Sequence, residues 1–120
     1  MSHLQQLRKG STSLLILSVL EQEAKYGYQI MRELEQRSDG YFTMTAALLY
    51  PALHRLEREG YVISDWRTGD SKRRLKYYTI TEAGKKALVD SSQEWQTFFS
   101  KLFGLLNKRP TLGSEGGFAQ

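Results

Sequence analysis

The chain of 120 residues contains no cysteine, and this absence removes several kinds of chemistry at once. Without thiols there is no disulfide, no thiolate metal site and no cysteine nucleophile. The two histidines, His3 and His54, stand far apart in the sequence and lack the spacing of metal ligands. We therefore expect neither a metal site nor a bound cofactor.

Long apolar runs are missing as well. A run such as Leu14–Leu17 is far shorter than the roughly 20 residues that span a bilayer, and the N-terminus lacks the basic and apolar regions of a signal peptide. We expect a cytoplasmic protein. Hydrophobic residues at 40%, aromatic residues at 12% and charged residues at 25% are near the averages of globular domains, which excludes a disordered or collagen-like chain.

Net positive charge is absent outside one segment. The formal net charge is +4, and the segment from Arg67 to Lys76 contains five cations and one anion. The rest of the chain then holds 12 basic and 12 acidic residues. Such a cluster is typical either of a basic finger that contacts a polyanion or of a solvated loop.

Three helices are predicted in the first half of the chain. Ser11 and Thr12 offer capping oxygens to a helix over Ser13–Glu21, which is apolar nearly all round and therefore predicted to be buried. A short amphipathic helix follows over Gly27–Ser38. Thr45 can cap a third helix that continues to Glu59 and is stopped by Gly60.

The third helix has two distinct faces. Its apolar positions share one face: Leu49, Ala52, Leu53 and Leu56. The opposite face carries Ala47, Tyr50, Pro51, His54 and Arg58, with Arg55 at the border. Because proline removes a backbone hydrogen bond, we expect either a bend at Pro51 or a helix that begins near Tyr50.

The second half of the chain predicts a hairpin and one long helix. Strand patterns over Tyr61–Trp66 and Leu75–Ile80 flank a turn-forming loop, so the basic cluster lies at the hairpin tip. Thr81 can cap a fourth helix that continues to Leu106. The spacing of a coiled-coil seam is followed by Leu88, Ser91, Trp95, Phe98, Leu102 and Leu105.

Three compact helices followed by a hairpin is the order of a winged helix-turn-helix. The predicted fold class is therefore mainly α with a small β-hairpin: a winged helix-turn-helix plus a long C-terminal dimerisation helix. We expect an N-terminal arm and DNA-binding domain over residues 1–81, the dimerisation helix over 82–106, and a disordered tail over 107–120, which is rich in glycine and polar residues.

Each candidate on the outward face of the third helix has a structural alternative. Tyr50 can be half-buried packing, His54 a solvent-facing residue, and Arg58 an ion-pair partner of a nearby acid. Their common face and the basic hairpin beside it favour contact with DNA instead.

The sequence also resembles the PadR family of bacterial transcriptional regulators. The resemblance rests on Tyr26-Gly27-Tyr28, on the run from Leu49 to Glu57 with Glu59-Gly60, and on Lys76-Tyr77-Tyr78 followed by Thr81-Glu82-Ala83-Gly84. It covers about residues 7 to 105. The stretch Ala46-Ala47-Leu48 departs from the family pattern, which usually has a glycine and a small hydroxyl residue there, and a phosphate contact is in doubt at this point.

The resemblance implies a homodimer that represses its operator and is released by a small molecule, often aromatic. It also implies that Tyr50, His54 and the wing cations face double-stranded DNA. The full set of predicted DNA-contacting residues is Tyr28, Thr45, Ala47, Tyr50, His54, Arg55, Arg58, Lys72, Arg73 and Arg74.

The fourth helix has more apolar surface than three short helices can cover. We expect a homodimer interface that contains Leu88, Trp95, Phe98, Phe99, Leu102 and Leu105. Docking of this helix on the first helix of the same chain is the alternative. Trp95 and Phe99 are candidates for stacking on an aromatic effector, although a tryptophan at a seam is more often simple packing.

The predicted function is sequence-specific DNA binding by a ligand-responsive repressor. The alternative is a winged-helix module that binds an acidic protein partner and has no operator. An enzyme is not expected, because the sequence shows no carboxylate pair, no nucleophile with a base and no phosphate-binding glycine loop.

Overall fold

The computed structural model describes residues 3–69 and 72–108. The described elements are α1 (His3–Leu20), β1 (Lys25–Tyr26), α2 (Gly27–Arg37), α3 (Ala46–Arg58), β2 (Val62–Thr68), β3 (Arg74–Ile80) and α4 (Glu82–Lys108). The chain divides into two compact units, Met1–Leu88 and Val89–Gln120. The predicted fold class, mainly α with a small β-hairpin and a long C-terminal helix, is confirmed, whereas most of the predicted tail lies outside the described residues.

The first helix is longer than predicted. It begins at His3 instead of Ser13, so the expected capping residues Ser11 and Thr12 lie inside the helix, where Thr12 is buried. The segment before Ser13 is polar and gives no apolar stripe, but leucine, glutamine, arginine and lysine all favour helix. A pattern search misses such an extension because it depends on apolar periodicity.

Capping residues mark both ends of α3 and the C-terminal end of α2. The Thr45 hydroxyl accepts a hydrogen bond from the Leu48 amide at 3.3 Å and caps α3. At the other end, Gly60 has φ +84°, which glycine adopts without strain, and the Tyr61 amide donates to the Leu56 carbonyl at 2.9 Å. Ser38 follows α2 and its hydroxyl donates to the Leu34 carbonyl at 2.8 Å.

Pro51 does not delay the start of α3. The helix begins at Ala46 and runs through the proline, so the alternative of a start near Tyr50 is wrong. The missing amide costs one hydrogen bond. Burial of the apolar face offsets that loss, since Leu49, Ala52, Leu53 and Leu56 are each at most 2% exposed.

The predicted hairpin is present and gains a third strand. β2 and β3 pair antiparallel from Val62 opposite Ile80 to Thr68 opposite Arg74. The two residues of β1 pair with Tyr78 and Tyr77 on the other side of β3, which gives the strand order β1-β3-β2. The sequence analysis treated the β1 segment as a break between helices. We refer to β2, β3 and their joining loop as the wing.

One hydrophobic core holds the first unit together. It contains Ile16, Leu17, Val19, Leu20, Ile30, Leu34, Leu49, Ala52, Leu53, Leu56, Val62, Tyr78, Ile80 and Leu88. The core thus takes residues from all three N-terminal helices, both long strands and the first turns of α4. This shared core fixes the position of α3 relative to the base of the wing.

Thr81 connects the wing to α4. Its hydroxyl donates to the Gly60 carbonyl at 2.7 Å and accepts from the Gly84 amide at 3.0 Å, as expected of a helix cap. Gly84 lies so close to the Tyr61 carbonyl that a side chain there would collide with backbone. The start of α4 is therefore a tight junction that requires glycine.

Candidate nucleic-acid interface

The outward face of α3 is exposed as predicted. Ala47, Tyr50, Pro51, His54 and Arg58 are exposed, and Arg55 at the border is exposed too. The opposite face is buried in the core. α3 therefore presents an aromatic hydroxyl, an imidazole and guanidinium groups on a helix whose position the core fixes.

Tyr50 is packed as well as exposed. Its ring is 38% exposed, and its hydroxyl lies directly over Gly27, the first residue of α2. A Cβ atom on Gly27 would lie 2.7 Å from Cζ of Tyr50 and closer still to the hydroxyl oxygen, distances that real Cβ atoms do not adopt. Gly27 thus makes room for Tyr50, and the contact fixes the ring against α2.

The register of the wing sorts its cations onto two faces. Trp66 pairs with Lys76 and Thr68 with Arg74, so these side chains share the face that also carries Val62 and Tyr78. The Arg74 guanidinium lies 5.7 Å from the centre of the Trp66 ring, and the Lys76 amine 5.7 Å from that of Tyr78. Both distances are within the range of cation–π attraction.

Arg67 belongs to the other face of the wing. Its guanidinium pairs with Asp65 at 2.9 Å and lies 4.8 Å from the centre of the Tyr77 ring. The hydrogen bond to Asp65 raises the pKa of Arg67 further above its ordinary value. The five cations of the basic segment are therefore not one cluster, since Arg67 is already paired and points away from Arg74.

The wing tip carries the remaining cations. Lys72 and Arg73 are exposed, and Lys72 has φ +63°. The loop is closed by hydrogen bonds from the Lys72 amide to the Gly69 carbonyl at 2.9 Å and from the Gly69 amide to the Arg73 carbonyl at 3.2 Å. Residues 70 and 71 lie outside the described chain.

A cleft of about 300 Å³ lies between α3 and the wing. We call it the α3–wing cleft; it is lined by Tyr26, Gly27, Tyr50, His54, Trp66, Arg74, Leu75, Lys76 and Tyr78. The cleft brings three of the predicted DNA-contacting residues together, namely Tyr50, His54 and Arg74. The exposed face of α3 and the cationic strand β3 thus border the same cleft of the first unit.

The profile of the transcriptional regulator PadR-like family matches residues 16–90, a segment that includes α2, α3 and the entire wing. The chain belongs to the PadR family. It is a PadR-like transcriptional regulator of the winged-helix DNA-binding class, as the resemblance in the sequence implied.

Solved structures and curated relatives agree with this PadR assignment. A PadR family transcriptional regulator from Eggerthella lenta is 31% identical, with a TM-score of 0.76 over 88% of this chain and 90% of that one. A transcriptional regulator from Clostridium thermocellum is 29% identical, with a TM-score of 0.75 over 82% and 96% of the two chains. The transcriptional regulator Rv3488 of Mycobacterium tuberculosis is 26% identical over 84% of this chain and 91% of its own.

Two predicted DNA-contacting residues of this PadR-family chain lie outside the α3–wing cleft and have partners of their own. Tyr28 is exposed on α2, and its hydroxyl accepts a hydrogen bond from Nη1 of Arg32 at 3.3 Å. That bond raises the pKa of Arg32. The Thr45 hydroxyl caps α3 and so uses one of its two lone pairs there, which leaves its O–H donor for a phosphate oxygen.

The sequence analysis missed Trp66, Lys76 and Tyr26 as residues of this site. Trp66 lies four residues after the buried Val62 and Lys76 two residues before the buried Tyr78, so each pair shares a strand face, and that period of two was the available signal. Tyr26 gave no such signal, because its place in the cleft depends on the unpredicted strand β1.

The second unit of this PadR-like regulator exposes an aromatic row along α4. Trp95 stacks on Phe99 at 5.3 Å, and Phe99 stacks on Phe103 at 6.0 Å between ring centres. Phe98 is 55% exposed and Leu105 is 71% exposed. Leu88, which we assigned to the dimer interface, instead belongs to the core of the first unit at 7% exposure, because it lies in the part of α4 that packs there.

Among the described residues no group of acidic or histidine side chains is arranged to hold a metal ion. No helix in the described part of this PadR-family chain is long and apolar enough to cross a membrane.

Proposed function

We propose that this PadR-family regulator is a homodimeric, ligand-responsive repressor that reads a specific operator in the cytoplasm. The outward face of α3 enters the major groove and the wing follows the adjacent phosphate backbone. One observation carries the proposal: Tyr50 and His54 of α3 line the same cleft as Arg74 of the wing. Residues 1–81 would bind DNA, and 82–106 would form the dimer.

The proposed contacts divide into two kinds. Tyr50 and His54 contact base edges, because they are central on the exposed face of α3. The other proposed contacts position the protein on phosphates, Ala47 through its backbone amide only and the rest through side chains: Tyr28, Thr45, Arg55, Arg58, Lys72, Arg73 and Arg74. Base contacts should decide which sequence is bound, while phosphate contacts should decide how strongly any duplex is bound.

Selection of bound duplexes from a random pool tests this division directly. We expect one enriched motif with two half-sites about one DNA turn apart. His54→Ala should then weaken binding to the selected operator by about 1 to 3 kcal/mol and binding to random duplex much less. Equal losses of binding free energy on both duplexes would show that His54 contacts the DNA backbone and does not read bases.

Exposed apolar side chains beside the aromatic row of α4 support the homodimer. Apolar side chains such as Phe98 and Leu105 are costly to leave in water, and a two-fold partner would cover them. Leu102→Asp would place one charge in each half of the interface, and we expect monomers in sedimentation and weaker operator binding. A variant that stays dimeric would show that the interface lies elsewhere.

The same row supports an effector site at Trp95 and Phe99. One face of the Trp95 indole already stacks on Phe99, and a planar molecule would use the other face. Uncharged planar dyes should quench tryptophan emission in the native chain and fail to do so in Trp95→Ala. Quenching that persists in Trp95→Ala would assign the signal to Trp66 and the wing.

The second candidate function is a protein-interaction module whose cationic wing binds an acidic partner. The exposed Lys72 and Arg73 favour it, since they would attract any polyanion. A selection that enriches no duplex sequence would support this function against operator binding, whereas salt-dependent binding alone is expected of both.

A further inference from the structure

The walls of the α3–wing cleft are aromatic to a degree that duplex binding does not require. Four of the nine lining residues are Tyr26, Tyr50, Trp66 and Tyr78, and the lining contains no carboxylate. Bases in a duplex are stacked and hide their faces, so a groove-bound duplex would engage the cations and the polar tips, such as the Tyr50 hydroxyl, and leave the exposed ring of Trp66 unused.

The two cations of the cleft lie beside its rings. The Arg74 guanidinium is 5.7 Å from the ring centre of Trp66, whose side chain remains 57% exposed. Lys76 is at the same distance from the Tyr78 ring. Lys76 also pairs with Trp66 in the sheet, so a ligand stacked on Trp66 has two cations beside it for an anionic substituent.

The volume of the cleft sets the size of its occupant. A cavity of about 150 Å³ holds a benzene molecule, and the α3–wing cleft encloses about 300 Å³. One or two fused rings with a small substituent therefore fit, and a larger ring system would extend out of the open cleft into solvent. A volume of about 300 Å³ is at the lower end of the usual range for small-molecule sites.

We propose that the α3–wing cleft binds a planar aromatic ring that carries an anionic group, and that this ligand excludes DNA by occupying the operator-reading face itself. The ring stacks on Trp66 and the anion pairs with Arg74 and Lys76. The exclusion of DNA rests on the proposed function, but the binding of the ligand does not. This site is separate from the effector site proposed on α4.

Two probes distinguish the sources from which such a ligand can come. 2-Naphthoate represents aryl carboxylates, and adenosine 5′-monophosphate represents nucleotides, which present the same chemistry of ring and anion. Titrations follow the indole N–H resonances of the full chain, with Trp95→Phe identifying the signal of Trp66. We expect at least one probe to shift the Trp66 resonance, whereas cyclohexanecarboxylate and 2-naphthol, which each lack one of the two features, should bind at least tenfold more weakly.

Matched wing variants test the assignment of the anion site. Arg74→Gln and Lys76→Gln should each weaken binding of the effective probe by roughly tenfold, as expected for loss of a charge-assisted contact. Arg73→Gln removes the same charge from the same wing but does not line the cleft, and should change the affinity less than twofold. Equal losses in Arg73→Gln and Arg74→Gln would overturn the proposal in favour of diffuse charge attraction.

Competition with DNA separates this proposal from the proposed function. At a probe concentration ten times its dissociation constant, direct competition weakens apparent operator binding about elevenfold. No shift of the Trp66 resonance in a chain that still binds its operator would overturn the cleft proposal and leave the proposed function standing. A shift with unchanged operator affinity would refute direct exclusion and place the DNA interface away from the cleft.

Discussion

Gly27→Ala tests the contact between α2 and Tyr50 with a single added methyl group. The new Cβ would lie 2.7 Å from Cζ of Tyr50, so the ring must retreat until that distance reaches the 3.4 Å at which ordinary contact begins. The atoms in the way belong to the end of a half-exposed side chain, not to backbone, and the ring can therefore move outward.

Two opposing terms set the expected loss of stability. Overpacking costs about 1 to 3 kcal/mol, and replacing glycine by alanine in a helix returns up to about 1 kcal/mol. We expect a net loss of about 1 kcal/mol, which lowers Tm by several degrees in a domain of this size. The free energy of operator binding should also weaken, by about 1 to 3 kcal/mol, because the displaced ring no longer presents the Tyr50 hydroxyl to the base edges.

A double-mutant cycle isolates the contact. Thermal unfolding and operator titration are measured for Gly27→Ala, Tyr50→Ala and the combination. Once the ring is absent, the methyl group should cost nothing in either assay. If Gly27→Ala costs as much in the Tyr50→Ala background as in the native chain, the contact with Tyr50 is not its cause and the reasoning is refuted.

Three further predictions concern charge. Changing Lys72, Arg73 and Arg74 to alanine should lower the salt slope of DNA binding by up to about 5 per dimer, and an unchanged slope would remove the wing from the phosphate contacts. Lys25→Met should lower the free energy of unfolding in urea by about 1 to 3 kcal/mol, because the buried amine donates to the Val19 carbonyl at 3.0 Å. The control Lys85→Met, which removes an exposed ion pair with Glu82, should lower it by under about 0.5 kcal/mol. Burial, with lesser effects of Glu57 and Tyr50, raises the pKa of Tyr78 in the folded state. The contribution of Tyr78 to stability is therefore full below pH of about 10 and is lost as the pH rises through its folded-state pKa. The stability of Tyr78→Phe should fall less at alkaline pH than that of the native chain, and equal stability profiles would contradict the prediction.

The parts of the fold that follow local rules were predictable from the sequence. The apolar face of α3 follows a helical period, and Thr45 and Gly60 mark its ends, so both its position and its exposed face could be derived. The two long strands followed equally from their composition. In each case the signal lies within one element.

The missed features depend on contacts between elements. Lys25 and Tyr26 form a strand only because Tyr78 and Tyr77 lie beside them, and no two-residue pattern predicts such pairing. The α3–wing cleft combines residues from β1, the start of α2, α3, β2 and β3, and its existence depends on the register of the wing. The same register places Arg67 and Arg74 on opposite faces of the wing.

The strand β1 has a consequence for the thermodynamics of DNA binding. An isolated two-stranded hairpin is marginally stable in water, whereas a third strand and a hydrophobic face allow a sheet to persist. Lys25 and Tyr26 supply that strand, and the amine of Lys25 ties it to the end of α1. The base of the wing is therefore ordered before DNA arrives. The entropy lost on association should fall mainly on the tip around Lys72, which lowers the free energy that the phosphate contacts must offset.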